Sequence, residues 1–259
     1  VHPELKCISS VGSEQPEAKR VHSRNPDLID EHYYRSADDF LKDWAHFDNY
    51  SRKGPDIFVG EWAAYETPKP PWQTSLTAYP PTPDMKAALG DAVWMASMER
   101  NSDIVKMQCY APLLVNVNPG AYHWRPDMIG YNALTAFGSP SYYAFRMFSR
   151  NHGDEILKTT LDGAPVRYSV TKDSKHGVIF VKLVNPQSTA QPLSLLIEGV
   201  HGLKSTATAI TLAAAPDESN SISDPTKVVP VTTKVSDVKP AFDYTLPADS
   251  ITVLKLEIR

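Results

Sequence analysis

The chain has 259 residues, of which 42% are hydrophobic and 22% charged, a composition typical of a soluble globular protein with one large domain or two ordinary ones. Its formal net charge of −4 gives no electrostatic basis for binding nucleic acid or an anionic membrane. The most apolar stretches are far shorter than the ~20 residues that a membrane-spanning helix needs. We therefore expect neither nucleic acid nor a membrane as a partner.

Short apolar runs alternate with helical patterns in the first 154 residues. Strands are predicted at 5–9, 28–34, 57–62 and 104–110. Ser36 can cap a helix over 36–50, whose first turn carries two acids, and the apolar periodicity predicts a second helix over 85–100. The proline-rich stretch 67–83 is expected to be a loop over the strand ends. Strand–helix alternation predicts a parallel sheet covered by helices.

The helical periodicity ends near residue 154. Short runs divided by turn residues follow and predict an antiparallel β-sandwich, at 166–171, 177–184, 193–198, 205–212 and 251–258. We therefore expect two domains, 1–154 and 155–259. The first shows only about four strands, whereas a complete (β/α)₈ barrel has eight. Half of a barrel and a different open α/β sheet are both compatible with this count.

Glu61 is the strongest candidate for chemistry, because it ends the apolar run 57–60. A charged side chain at the end of a buried strand lowers stability, so its presence indicates a function. Barrel enzymes keep their catalytic groups at strand ends. Alternation along the preceding strand places three polar side chains on one face: Asp30, His32 and Tyr34. A phenol and an imidazole can hold a carboxylate ionised and oriented, as a nucleophile requires. A solvated carboxylate at a strand edge is an equally compatible interpretation.

Three motifs in this order resemble glycoside hydrolase family 51, the retaining α-L-arabinofuranosidases: Asp30-Glu31-His32-Tyr33-Tyr34, Phe58-Val59-Gly60-Glu61-Trp62-Ala63 and Tyr110-Ala111-Pro112-Leu113-Leu114-Val115-Asn116. The segments 218–230 and 244–250 resemble the C-terminal sandwich of that family, and 124–127 and 138–143 resemble its plant and fungal branch. The resemblance implies strands five to eight of a (β/α)₈ TIM barrel, followed by a jelly-roll-like antiparallel β-sandwich.

The resemblance also implies roles for single residues. Glu61 matches the catalytic nucleophile, and His32 and Tyr34 match the pair that contacts the sugar and the nucleophile. Asn116 lies where the family places a sugar-binding amide. Trp124 could be a stacking platform for a sugar ring, although a packing residue between the two domains explains it equally well. The implied substrate is an arabinose-containing oligosaccharide or polysaccharide, and secretion from the cell is expected.

The second carboxyl group of a retaining glycosidase is not found in this sequence. The acid/base Glu of the family follows an Asn, and no Asn-Glu pair occurs in the chain. Retaining hydrolysis needs two carboxyl groups about 5–5.5 Å apart. We therefore expect an N-terminal barrel half, in the same polypeptide or as a separate chain, with residues 1–259 as a fragment or a processed product. Self-association stays open.

No cofactor or metal is predicted. The histidines do not reach metal-site spacing with one another. Cys7 and Cys109 lie in apolar runs without a paired motif, so we expect two buried free thiols.

Two other functions remain compatible with the sequence. The first is a carbohydrate-binding or interaction module without activity of its own, which would stack sugars on Trp62, Trp72 and Trp124. The second keeps the same fold but acts as an endoglucanase or xylanase, an activity that the resemblance to the family also allows.

Overall fold

The structure is a computed structural model that describes residues 2, 4–13, 25–65, 74–75, 80–123 and 126–259. Its helices are α1 (Ala37–Lys42), α2 (Met85–Arg100) and α3 (Pro140–Arg150), with a 3₁₀ turn at His46–Asn49. Its strands in chain order are β1 (Ile8–Ser13), β2 (Leu28–Ser36), β3 (Asp56–Tyr65), β4 (Thr74–Ser75), β5 (Val105–Tyr110), β6 (Leu114–Asn116), β7 (Tyr122–His123), β8 (Ile129–Tyr131), β9 (Ala136–Gly138), β10 (Glu155–Ile156), β11 (Arg167–Asp173), β12 (Val178–Asn185), β13 (Gln191–Leu196), β14 (Thr206–Ala213), β15 (Val231–Ser236), β16 (Ala241–Leu246) and β17 (Ser250–Glu257).

The first layer is a four-stranded parallel sheet in the order β1-β2-β3-β5. One side of this sheet, the helix face, packs its apolar side chains against the helices and contains Ile29, Val59 and Trp62. The other side, the open face, contains the half-exposed Phe58 and the exposed Met107 and Cys109. The prediction of a parallel sheet with helices is confirmed. Among the strands that the structure describes, β1 and β5 each pair on one edge only.

The second layer is a β-sandwich. Six antiparallel strands in the order β10-β11-β12-β17-β14-β15 form its larger sheet, and β13 pairs with β16 in the smaller one. Leu193 and Phe242 of the small sheet share a core with Val181 of β12, whereas Phe180 and Val184 of β12 belong to the core of the helices. Because both faces of β12 are covered, the strand is apolar along most of its length. The predicted antiparallel sandwich is confirmed.

Smaller sheets connect these layers. β4 pairs with β7, and β6, β8 and β9 form a three-stranded sheet.

The helix predicted over 36–50 is shorter in the structure. Ser36 does cap it, since the N–H of Asp39 donates to Ser36 Oγ at 3.1 Å, but α1 ends at Lys42. Arg35 and His46 both bind the carboxylate of Asp43, which follows the helix directly. These side-chain contacts lie where the α-helix ends and shortly before the 3₁₀ turn His46–Asn49 begins. The helix over 85–100 matches α2, and the strand predicted at 5–9 is displaced to Ile8–Ser13.

Helix α3 and the strands β15 and β16 are among the elements that had no prediction. Helix α3 begins with Pro140 after the capping residue Ser139, a start signal present in the sequence. Strand β15 lies at the edge of its sheet and is almost entirely exposed, so it has no buried side to produce an apolar alternation. β16 follows it after a short loop and pairs with β13.

The prediction of buried thiols is wrong, because Cys7 and Cys109 are both exposed. Cys7 precedes β1, and Cys109 lies on the open face of β5, which none of the described helices covers. Most of the loop predicted over 67–83 falls on 66–73 and 76–79, which lie outside the described residues.

A buried ion pair joins the two layers. Lys182 of β12 has no exposed surface, and its ammonium pairs with the carboxylate of Glu99 on α2. Ser169 donates to the other oxygen of the same carboxylate at 2.5 Å. Burial lowers the pKa of Lys182, while the charge of Glu99 opposes that shift. Helix α2 is therefore held to the larger sheet of the sandwich by a polar contact as well as by apolar packing.

Lys182→Met is expected to lower the free energy of unfolding by about 3 kcal/mol, because it leaves the Glu99 carboxylate, whose side chain is 16% exposed, largely buried without its cation. Glu99→Leu in the same protein should recover most of that loss, since the pair is then replaced by apolar side chains. Equilibrium urea denaturation of the two single variants and the double variant measures the coupling. Purely additive losses would show that the two groups do not depend on each other.

Candidate active site

A β-bulge in β3 decides where Glu61 points. Glu31 of β2 pairs with Val59, and the next pair is His32 with Glu61, so Gly60 is the extra residue of the bulge. The pairing of β3 with β5 has an irregularity at the same place. With regular alternation Glu61 would turn to the helix face. The bulge instead places it on the open face, beside His32.

Glu61 contacts a phenol and an imidazole on the open face. The hydroxyl of Tyr34 donates to Glu61 Oε2 at 2.8 Å, and His32 Nδ1 lies 3.5 Å from the same oxygen. Burial, together with the hydrogen bond to Glu61, raises the pKa of Tyr34, so the phenol stays a donor at neutral pH. The Glu61 side chain is 47% exposed. The carboxylate is thus oriented by two neighbours and still accessible to a small molecule.

Asp30, for which the sequence motifs imply no function, lies on the far side of His32 from Glu61. His32 Nε2 donates to Asp30 Oδ2 at 3.2 Å, and the two side chains are 19% and 13% exposed. Its position two residues before His32, on the same face, is the signal that could have identified it. Gly60 offers another signal, because a glycine inside a strand pattern marks a bulge or a close approach.

The helix face of β2 holds a separate polar cluster, which we call the Glu31 cluster: Glu31, Tyr33, Asp43, His46 and Tyr50. Tyr33 and Tyr50 donate to Glu31 Oε2 at 2.5 and 3.2 Å, and Tyr33 OH lies 3.1 Å from His46 Nε2. Burial raises the pKa of Glu31 and lowers the pKa of His46. Because Glu31 is only 4% exposed and faces the helices, this cluster does not line the open face.

Asn116, which is also predicted for the site, ends β6 in a different sheet from Glu61, and its side-chain oxygen accepts the N–H of Asn118 at 3.0 Å. Trp124 lies outside the described residues. The structure therefore brings together His32, Tyr34 and Glu61.

The described part of the chain contains no group of three or more His, Cys, Asp or Glu side chains that could hold a metal ion. None of its helices has both the length and the apolar character needed to cross a bilayer.

Comparison with known proteins identifies the family. The model of the alpha-L-arabinofuranosidase C-terminal domain matches residues 60–250. The chain belongs to this family. Alpha-L-arabinofuranosidase A of Aspergillus niger is 35% identical over 257 residues, and alpha-L-arabinofuranosidase 1 of Arabidopsis thaliana is 34% identical over 241 residues. The alignments cover 98% and 88% of this chain but only 37% and 32% of those two proteins.

Solved structures give the same result. The arabinose-bound MgGH51 α-L-arabinofuranosidase superposes with a TM-score of 0.89 at 30% identity, over 99% of this chain and 40% of that one. The α-L-arabinofuranosidase of Thermotoga maritima, in its arabinose complex, has a TM-score of 0.77 at 18% identity, which shows a shared fold alone. The superposition covers 99% of this chain and 58% of the Thermotoga maritima chain. The resemblance to glycoside hydrolase family 51 is confirmed.

Glu31→Gln is expected to make the free energy of unfolding less dependent on pH. Because burial raises the folded-state pKa of Glu31 above its ordinary value of 4.5, protonated Glu31 contributes stability that is fully present below that pH. This contribution is lost as the pH rises through the folded-state pKa. Urea denaturation at about pH 4 and about pH 7 should show a larger decline for the parent than for the variant. The exposed Glu198 provides a control, as Glu198→Gln, and an identical decline in all three proteins would contradict the expectation.

Proposed function

We propose that this chain carries the nucleophile of a retaining α-L-arabinofuranosidase. Glu61 attacks the anomeric carbon of a terminal arabinofuranosyl residue and forms a covalent arabinosyl-enzyme, which water then hydrolyses. The observation that supports this most directly is the contact of Glu61 Oε2 with Tyr34 and His32. The donor phenol and the neighbouring imidazole orient the carboxylate, while its exposed part stays open to the substrate.

The general acid is proposed to come from outside residues 1–259. It must protonate the leaving oxygen and later activate water, about 5–5.5 Å from the nucleophile. Asp30 does not fit this role, because its carboxylate is largely buried and accepts a hydrogen bond from His32. The curated relatives are much longer than this chain, which spans 37% of the Aspergillus protein. In our proposal an N-terminal barrel half, in the same polypeptide or as a separate chain, supplies the acid/base Glu.

The four parallel strands are proposed to be strands five to eight of a (β/α)₈ barrel. Their open face then becomes the barrel interior, and both free edges of the sheet are closed by the other half. The proposed domains are 1–154 for the barrel part and 155–259 for the sandwich. Asn116 and Trp124 remain proposed sugar-binding residues.

The proposed substrates are arabinoxylan, arabinan and related oligosaccharides with terminal arabinofuranosyl groups, and the reaction requires no cofactor. The names of the relatives support the sugar, since those from Aspergillus niger and Arabidopsis thaliana are both called alpha-L-arabinofuranosidases. Secretion of the protein is also part of this proposal, because such polymers lie outside the cell.

A binding module without activity is less well supported. Of the three tryptophans that could have stacked sugars, Trp62 is fully buried on the helix face, and Trp72 and Trp124 lie outside the described residues. An oriented and accessible carboxylate is not required for stacking. Endoglucanase or xylanase activity on the same fold is distinguished by assaying glucan and xylan backbones beside arabinofuranosides.

Glu61→Ala in the complete enzyme is expected to lower kcat on an aryl arabinofuranoside by about 10⁴-fold or more, the scale on which the loss of a catalytic nucleophile acts. Added azide should restore part of the turnover, because it can occupy the space of the deleted carboxylate and attack the anomeric carbon. Steady-state kinetics with and without azide measures both effects.

The matched control is Glu198→Ala, which removes an exposed carboxylate of the sandwich and should leave kcat unchanged. Full activity of Glu61→Ala, or a loss that azide does not reverse, would remove Glu61 from the nucleophile role.

Residues 1–259 on their own are expected to be poorly soluble, or to co-purify with a complementary barrel half when one is co-expressed. The reason is that the open face exposes Met107 and the edges of β1 and β5, and such surfaces favour association. Sedimentation velocity of the purified chain tests this. A stable, well-behaved monomer would count against the half-barrel proposal.

A further inference from the structure

We propose that Asp30 is a positioning residue, which holds His32 in the orientation that brings its ring to the carboxylate of Glu61. This inference rests on the proposed function of Glu61 as the nucleophile. Asp30 Oδ2 lies 3.2 Å from His32 Nε2, and His32 Nδ1 lies 3.5 Å from Glu61 Oε2. Because the two ring nitrogens lie on different edges of the imidazole, a bond that fixes one nitrogen also fixes the direction of the other.

The bulge at Gly60 lies directly against the carboxylate of Asp30. A Cβ atom at position 60 would lie 2.0 Å from Asp30 Oδ1, and the three nearest atoms it would meet all belong to Asp30. Gly60 is not among the residues with a positive φ, so its backbone conformation is open to any residue. The absence of a side chain at this position therefore serves to make room for the carboxylate of Asp30.

Asp30 is held in place at a cost to stability. Its Oδ1 atom is buried and has no hydrogen-bond partner within the described part of the chain. A buried carboxylate oxygen without a donor lowers stability relative to a solvated one. Strand β1, which pairs with β2 next to Asp30, contributes no ionisable side chain. The side chain that Asp30 binds is His32. If position 30 served packing alone, a side chain without this buried and unbonded carboxylate oxygen would give a more stable protein.

The experiment compares variants of the complete enzyme on an aryl arabinofuranoside. Asp30→Ala should lower kcat by about 100-fold, as expected when a reacting group is misplaced by about 1 Å, while KM changes by less than about threefold. Its unfolding midpoint in urea should stay level or rise, because a poorly satisfied buried carboxylate is removed. Asp30→Asn keeps an oxygen acceptor for His32 and should recover at least about tenfold of the lost kcat.

Glu31→Gln is the matched control, because Glu31 is the neighbouring carboxylate on the opposite face of the same strand. It should alter stability through the Glu31 cluster and leave kcat within about twofold of the parent. A residue of purely structural importance would show this second pattern, so the two variants separate positioning from folding.

A double-mutant cycle with Gly60→Ala tests the same idea independently. Gly60→Ala should lower kcat to the level of Asp30→Ala, since the new methyl group displaces the carboxylate. In the Asp30→Ala background the same change should cost less than about threefold, because the atoms that it would meet are gone. Independent effects would multiply to about 10⁴-fold.

Parent-like kcat in Asp30→Ala would overturn the inference, and so would Asp30→Asn that is as slow as Asp30→Ala, or multiplicative losses in the cycle. The proposed function is judged separately by Glu61→Ala and its rescue by azide. If that variant behaves as expected while Asp30→Ala retains full kcat, only the positioning role fails. If Glu61→Ala is fully active, the proposed function fails whatever Asp30 does.

Discussion

The orientation of Glu61 depends on one extra residue in β3. A one-residue shift turns every later side chain of a strand to the other face, so the bulge at Gly60 places Glu61 on the open face and Trp62 on the helix face. Trp62 is fully buried there, with its ring near those of Phe40 and Tyr110. A buried tryptophan removes about 150–250 Å² from water, worth several kcal/mol at ~25 cal/mol per Å². Loss of the bulge would expose that ring, so the packing of Trp62 enforces the direction of the carboxylate.

Side chains along β2 alternate between the two faces of the sheet, so the residues that contact Glu61 and the residues that stabilise the fold lie on opposite faces. Its open face carries His32 and Tyr34, which contact Glu61, whereas Glu31 and Tyr33 on its helix face make buried hydrogen bonds among the aromatic rings. The pKa of Glu31 is raised by burial, and its carboxylate sits where a sugar cannot reach it. Asp30 and Glu31, which are adjacent in the sequence, therefore have different surroundings. The Asp30 side chain binds His32 on the open face, beside the proposed nucleophile, and the Glu31 side chain supports the fold.

The sequence predicted the elements whose local pattern agrees with their packing. Helix α2 and most strands of the sandwich follow from periodicity, and alternation along β2 correctly placed His32 and Tyr34 on one face. The rest depends on contacts that periodicity does not contain. Helix α1 ends at Lys42, and the next residue, Asp43, is bound by Arg35 and His46. The exposure of Cys109 depends on which face of β5 lacks a helix, and a bulge cannot be located from alternation alone.

Helix α2 links the strand of the proposed nucleophile to the sandwich. Asp91 of α2 accepts the N–H of Ala64 at 2.7 Å, three residues after Glu61 on β3. Two turns later Glu99 of the same helix pairs with Lys182 of β12. The family match starts at Gly60 and continues through the sandwich to residue 250. Helix α2 therefore connects the part of β3 near Glu61 to the sandwich, so damage at the Lys182 contact should weaken the scaffold that supports the carboxylate.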